Sequence, residues 1–178
     1  ADDKTYRMDL DGTRKEIDSW FETNDLNKSL EVEEDDPTMV IGRDWLARAG
    51  KRWRPFLTVC SWKACQEDPN AKTTKDLKRL ALAVECFHKA SLIHDDIEDG
   101  DPDRYGEKTL HEEHGVPVAL NVGDYLLGEG YRLIAETKVP AKRRAEMLRV
   151  AALGHRALSR GQGAELSWAN DPKPMPSR

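Results

Sequence analysis

Asp95, Asp96 and Asp99 fall within Ser91-Leu-Ile-His-Asp-Asp-Ile-Glu-Asp99. Residues four apart on a helix lie about one turn apart, so Asp95 and Asp99 share a face and Asp96 stands beside them. Glu98 and Asp101 enlarge the same charge, and like charges this close raise the free energy of the folded state until a cation joins them. Hard oxygen ligands with room for water suit Mg²⁺, which commonly bridges one or two carboxylates to substrate phosphates. Three acids converging at a helix end would therefore suit a cation of that kind, with diphosphate binding or departure as the chemistry. The end concerned is the C-terminal one, where the macrodipole already disfavours anions, so local stability is given up there. A solvated acidic helix end has the same signature, and Asp-Asp-x-x-Asp alone does not choose between the two.

Cations stand nearby in sequence. Gly50-Lys-Arg-Trp-Arg-Pro55 puts three of them in four residues, directly before a helix that a proline can open. An anion there meets side-chain charge from Lys51, Arg52 and Arg54 together with free backbone N–H groups. A surface loop with scattered positive charge reads the same way. His88 precedes Asp95 by two helical turns and points to the same side, although a lone histidine is more often a core residue. Arg104 follows the acids closely enough to balance their charge or to bind a phosphate oxygen.

Helices must position these groups. Apolar spacing predicts a first helix from about Tyr6 to Phe21 and an acidic solvated loop over Glu31–Pro37. A second helix starts at Pro55 and ends at Asp68-Pro-Asn70. Thr73 or Thr74 caps a long, mostly buried helix that runs to Asp99 and is stopped by Gly100-Asp-Pro102. A polar loop with one short helical turn reaches Gly115, Pro117 opens a helix to about Glu136, and Pro140 opens another through Arg160. Nothing alternates with period two for long enough to form a sheet, so the fold class is all-α.

Composition narrows the function. The 178 residues carry a formal net charge of −5, with 34% charged and 38% hydrophobic residues. That suits one folded domain, or part of one, and gives a nucleic acid nothing to bind globally. The apolar stretch from Leu80 to Ile93 is interrupted by Glu85, His88 and Lys89 and is too short for a membrane span. With no apolar leader at the amino terminus, a cytoplasmic location is the expectation. Cys60, Cys65 and Cys86 lack metal or redox spacing and are expected to be reduced, mostly buried thiols.

Gly50-Lys-Arg-Trp-Arg-Pro, Phe87-His-Lys-Ala-Ser-Leu-Ile-His-Asp-Asp-Ile-Glu-Asp99, Arg104-Tyr-Gly106, Val122-Gly-Asp-Tyr-Leu-Leu127 and Gly161-Gln-Gly-Ala-Glu165, in this order and spacing, resemble the trans-prenyl diphosphate synthase family. The resemblance implies an isoprenoid synthase-type antiparallel helical bundle that condenses isopentenyl diphosphate with an allylic prenyl diphosphate. It assigns Asp95 and Asp99 to Mg²⁺ and the allylic diphosphate, with Asp96 and Arg104 supporting, and Lys51, Arg54 and His88 to isopentenyl diphosphate. Gln162 and Glu165 match a Gln-x-x-Asp segment near the reacting centre. Small residues at Ala90 and Ser91 leave a hydrophobic channel open to a cap at Phe87, which implies a product of geranylgeranyl size or longer.

Two departures stand out. The family usually has two adjacent arginines where this chain has Arg104-Tyr105, so isopentenyl binding is expected to be weakened or taken over by Arg52. The family's second aspartate-rich motif does not occur either, which makes residues 1–178 read as the amino-terminal portion of a single synthase domain. Such a half is expected to expose apolar faces near Leu92, Val122, Leu126 and Leu153, and to form a homodimer or pair with the missing half. A non-catalytic subunit that regulates an active synthase and a terpene cyclase of the same fold are the competing readings.

Overall fold

The computed structural model describes residues 7–48, 50–172 and 174. Two compact units divide the chain, one up to Lys138 and one from Val139 onward.

In the first unit, α1 (Leu10–Trp20) and α2 (Thr23–Ser29) lead into α3 (Pro37–Ala47), α4 (Trp53–Ala64) and α5 (Lys75–Asp99). A two-residue hairpin, β1 (Asp103–Arg104) against β2 (Glu107–Lys108), and the short α6 (Leu110–His114) connect α5 to α7 (Val116–Ala135). The second unit is built on α8 (Ala141–Asn170).

The 25-residue α5 is the axis of the first unit. Thr74 starts it, its hydroxyl accepting from the Leu77 amide, and Gly100 ends it in the left-handed region at φ 67°, where a side chain would be strained. Leu82, Cys86, Ala90 and Ile93 on α5 pack with Val122, Leu126 and Leu133 of α7 and with Trp45 of α3 in a core that excludes water. Close approach of α5 and α7 depends on glycine. A Cβ on Gly130 would stand 2.6 Å from the Phe87 ring, and one on Gly123 would stand 2.4 Å from His94 Nε2. The two ring-and-glycine pairs step by seven residues in opposite directions, the register of antiparallel helices.

The all-α expectation holds, with the hairpin as a small addition. Two helices, α2 and α3, which were not among the expected elements, flank the acidic stretch from Glu31, which is a loop as expected up to the start of α3 at Pro37. Asp36 is the N-cap of α3, accepting from the Thr38 and Met39 amides, and Pro37 opens the helix. Gly42, which obscures the α3 pattern, leaves room for the Tyr125 ring, 2.9 Å from where its Cβ would lie. α1 starts at Leu10, and Tyr6 lies outside the described residues. α4 stops at Ala64, and α8 continues to Asn170, past the expected end at Arg160. The thiols are free, but only Cys86 is buried; Cys60 is half-buried and Cys65 exposed. Val122 and Leu126 are fully buried against α5, contrary to the expected apolar face, whereas Leu153 on α8 is exposed. Among the described residues no helix is long and apolar enough to cross a membrane.

Candidate functional site

The loop before α4 and one side of α5 enclose a cavity of about 230 Å³, lined by Gly50, Lys51, Arg52, Trp53, Arg54, Glu85, His88 and Tyr105. Arg52 occupies the N-cap of α4 in the left-handed region, and no side chain caps the amides of the first turn. The start of α4 therefore presents backbone N–H groups and cations together, an arrangement suited to an oxyanion.

Arg54 Nη1 lies 3.1 Å from His88 Nε2. A guanidinium only donates, so Nε2 accepts and the ring proton resides on Nδ1. Burial, and then the charge of Arg54, hold the His88 pKa down to about 4. The ring is thus a neutral donor whose Nδ1–H is fixed by its neighbour. Glu85 and Lys89, one turn apart on α5, sit deeper; both are buried. Desolvation raises the Glu85 pKa, and its Oε2 has no hydrogen-bond partner among the described residues. The interrupted apolar pattern around Glu85 and Lys89 was the sequence signal for this pair, and neither was singled out as a site residue.

Arg52 lines the cavity, but its guanidinium is already engaged. Its guanidinium donates to the carbonyls of Leu46, Ala47 and Arg48 at 3.0 to 3.3 Å and lies 4.1 Å from the centre of the Phe21 ring. It caps the C-terminus of α3, where free carbonyls and the negative end of the dipole favour a cation. The guanidinium expected to substitute for a second arginine is thus already bonded to backbone carbonyls.

Two turns along α5, the acids separate into two environments. Asp96 turns inward, 1% exposed, and Arg104 from β1 grips its Oδ1 through Nε at 2.6 Å and Nη2 at 2.5 Å. Gly100 and the buried Thr109, whose hydroxyl donates to the Asp101 carbonyl at 2.9 Å, shape the loop that delivers Arg104. Asp95 and Asp99 face outward in the row Phe87, Ser91, Asp95, Asp99, each four residues from the next and none of them buried. Burial, and then the charge of Asp99, raise the Asp95 pKa. Three acids therefore do not converge, and among the described residues no group of three His, Cys, Asp or Glu side chains forms a metal cluster. Two mutually repelling carboxylates with solvent beside them fit a Mg²⁺ ion that takes its remaining ligands from water and phosphate, not a closed protein cage.

Ala90 is fully buried in helix packing, whereas Ser91 is half-buried on the open row and donates to the His88 carbonyl. Phe87 meets Tyr131 edge to face at 4.9 Å. Any channel along this row is bounded by Ser91 and Phe87, with Ala90 outside it. Gln162 and Glu165 lie on α8 in the second unit.

The geometry has close counterparts. The sequence model described as Polyprenyl synthetase matches residues 40–176. A short chain isoprenyl diphosphate synthase from Methanocaldococcus jannaschii is 31% identical over 155 residues, which is 84% of this chain and 46% of that protein. The farnesyl diphosphate synthase of Bacillus subtilis is 33% identical over 132 residues, 70% of this chain and 43% of its own length. Among solved structures, the geranylgeranyl pyrophosphate synthetase from Geoglobus acetivorans superposes with a TM-score of 0.78 at 26% identity, covering 92% of this chain and 51% of that one. The chain thus spans about half the length of the relatives it matches. Since the family match runs from α3 through α8 and takes in the basic loop, the aspartate row and Arg104, the chain belongs to the polyprenyl synthetase family.

Proposed function

We propose that this chain provides the substrate-binding face of a prenyltransferase that joins isopentenyl diphosphate to an allylic prenyl diphosphate, giving a longer all-trans prenyl diphosphate. The observation that carries this reading is one helix, α5, contributing both to a basic cavity and to a pair of outward carboxylates.

Lys51, Arg54 and the Nδ1–H of His88, with the first-turn amides of α4, bind the diphosphate of isopentenyl diphosphate. Asp95 and Asp99 would hold Mg²⁺, which supplies the positive charge that neutralises the departing allylic diphosphate. Arg104, fixed by Asp96, faces the same leaving group, and Gln162 on α8 is assigned to substrate binding. The allylic C–O bond breaks, the isopentenyl double bond attacks the resulting cation to form a C–C bond, and a proton is lost. Donors aimed at the leaving oxygen stabilise charge that grows in the transition state. With Ser91 small, the row on α5 stays open for about two turns below Asp95, roughly 12 Å, to Phe87. This favours a product of geranylgeranyl size or longer.

These residues are read as the amino-terminal portion of the synthase domain, working in the cytoplasm as a homodimer or paired with the remainder of the domain. The test incubates this chain, and one extended past Arg178 to the relatives' length, with farnesyl diphosphate, labelled isopentenyl diphosphate and MgCl₂. Elongation by the extended chain is expected, at least a hundredfold reduced by Asp95→Asn; elongation by neither chain would refute the reading. Ser91→Phe is expected to shorten the product, and an unchanged product would reject Ser91 as part of the channel floor.

A further inference from the structure

Lys89 has the least expected position of any charged group in the first unit. Its side chain is fully buried on α5. Nζ donates to the Arg48 carbonyl at 3.2 Å and lies 5.3 Å from the centre of the Trp45 ring and 5.0 Å from that of Tyr105. Tyr105 is half exposed, lines the basic cavity, and holds a left-handed backbone at φ 58°, unusual for a side chain of its size. Gly50, also in the cavity wall, approaches both: a Cβ there would stand 3.8 Å from Lys89 Nζ and 4.0 Å from the Tyr105 hydroxyl. The ammonium therefore lies immediately behind the wall that Gly50 and Tyr105 form.

Burying an ammonium is costly, and a Met or Leu of similar volume would serve packing better. Burial lowers the Lys89 pKa only to about 8, so the group remains a cation at neutral pH. In a low-dielectric setting its field reaches the cavity with less screening than that of an exposed lysine such as Lys51, offset in part by the buried Glu85 one turn away, whose carboxyl burial pushes toward the neutral form.

We propose that Lys89 is a positioning residue of the anion cavity, a buried cation that braces Tyr105 through the face of its ring and adds a positive field behind Gly50 and Tyr105 for a bound diphosphate. This inference rests on the reading of the cavity as a diphosphate site. It assigns to Lys89 a field that adds to that of Arg52, whose guanidinium is bonded at the end of α3.

Titration of the chain with inorganic diphosphate, followed by calorimetry, tests both levels. Arg54→Ala probes the cavity itself and is expected to weaken binding tenfold or more; binding unchanged in Arg54→Ala would remove the cavity reading and the Lys89 inference together. Lys89→Met is expected to weaken binding about tenfold, and Lys89→Gln, which retains a donor for the Arg48 carbonyl, to do the same. Adding Tyr105→Arg to either variant returns a cation to the wall and is expected to restore affinity to within about threefold of the parent, a rescue that a purely packing role would not show. If Arg54→Ala loses affinity while both Lys89 variants bind like the parent, or if Tyr105→Arg gives no recovery, the inference is wrong and the cavity reading stands. Should Lys89→Met lose its helical circular dichroism, Lys89→Gln decides alone.

Discussion

Asp96 and Asp99 are neighbours on α5 with opposite surroundings. Asp96 is buried and answered by Arg104 through two donors, so Asp96→Asn leaves a guanidinium, 22% exposed, without its counter-charge. Removing one member of such a pair costs about 3 kcal/mol, and melting followed by circular dichroism should show a fall of about 5–10 °C. Asp99 is exposed and lies beside Asp95 at a helix C-terminus; Asp99→Asn relieves repulsion and should leave the midpoint unchanged or raise it by up to about 2 °C. Equal losses in the two variants would contradict the division into an inward and an outward acid. His88 carries a pH prediction. Its folded pKa is lowered to about 4, by burial and then by Arg54, while the unfolded ring titrates near 6.5. Stability from the neutral ring is therefore present above about pH 6.5 and lost as pH falls toward 4. The His88 ring signals in a proton NMR titration should show no protonation step between pH 8 and 5.5. A midpoint near 6.5 would mean that the contact with Arg54 is not kept in solution.

The pairing of α5 with α7 depends on two glycines, and glycine substitutions on α7 separate packing from backbone effects. Gly130→Ala drives a methyl into the Phe87 ring and should destabilise by about 1–3 kcal/mol. Gly128, two residues away on the same helix, has nothing within 4 Å of its would-be Cβ, so Gly128→Ala should stabilise by about 0.5–1 kcal/mol. Urea unfolding of both variants checks the signs, and a loss at Gly128 would mean that α7 packs differently. The helices with strong punctuation were legible in the sequence: Thr74 and Gly100 bound α5, and Pro117 and Pro140 mark the starts of α7 and α8. α3 was hidden because Gly42 breaks its apolar pattern for the sake of Tyr125, a contact more than 80 residues away that no local rule contains. The aspartate row was legible because four-residue spacing is a local property. The inward turn of Asp96 was not, since it depends on a loop that brings Arg104 back to the helix. The engagement of Arg52 was not legible for the same reason: charge is visible in a sequence, but the carbonyls that already hold it are not.

At the scale of the whole molecule, the candidate site is unevenly divided. Every residue lining the basic cavity, together with Asp95, Asp96, Asp99 and Arg104, falls in the unit ending at Lys138, whereas Gln162 and Glu165 fall in the second. The first unit holds the buried apolar residues, from Ile17 to Ile134, whereas Val150, Leu153, Leu158 and Trp168 along α8 are exposed. Cooperative stability follows buried apolar surface, so it should reside in the first unit. A chain ending at Lys138 is therefore expected to unfold in one transition within a few degrees of the full chain and to bind inorganic diphosphate with affinity unchanged to within about threefold. Amide hydrogen exchange on the full chain supplies an independent check, since α5 and α7 should be the most protected segments and α8 the least. Loss of diphosphate binding on removal of residues 139–178 would contradict the assignment of the anion site to the first unit alone. Retention would locate diphosphate recognition wholly in the first unit and assign to the rest of the domain the steps that bring two bound substrates together.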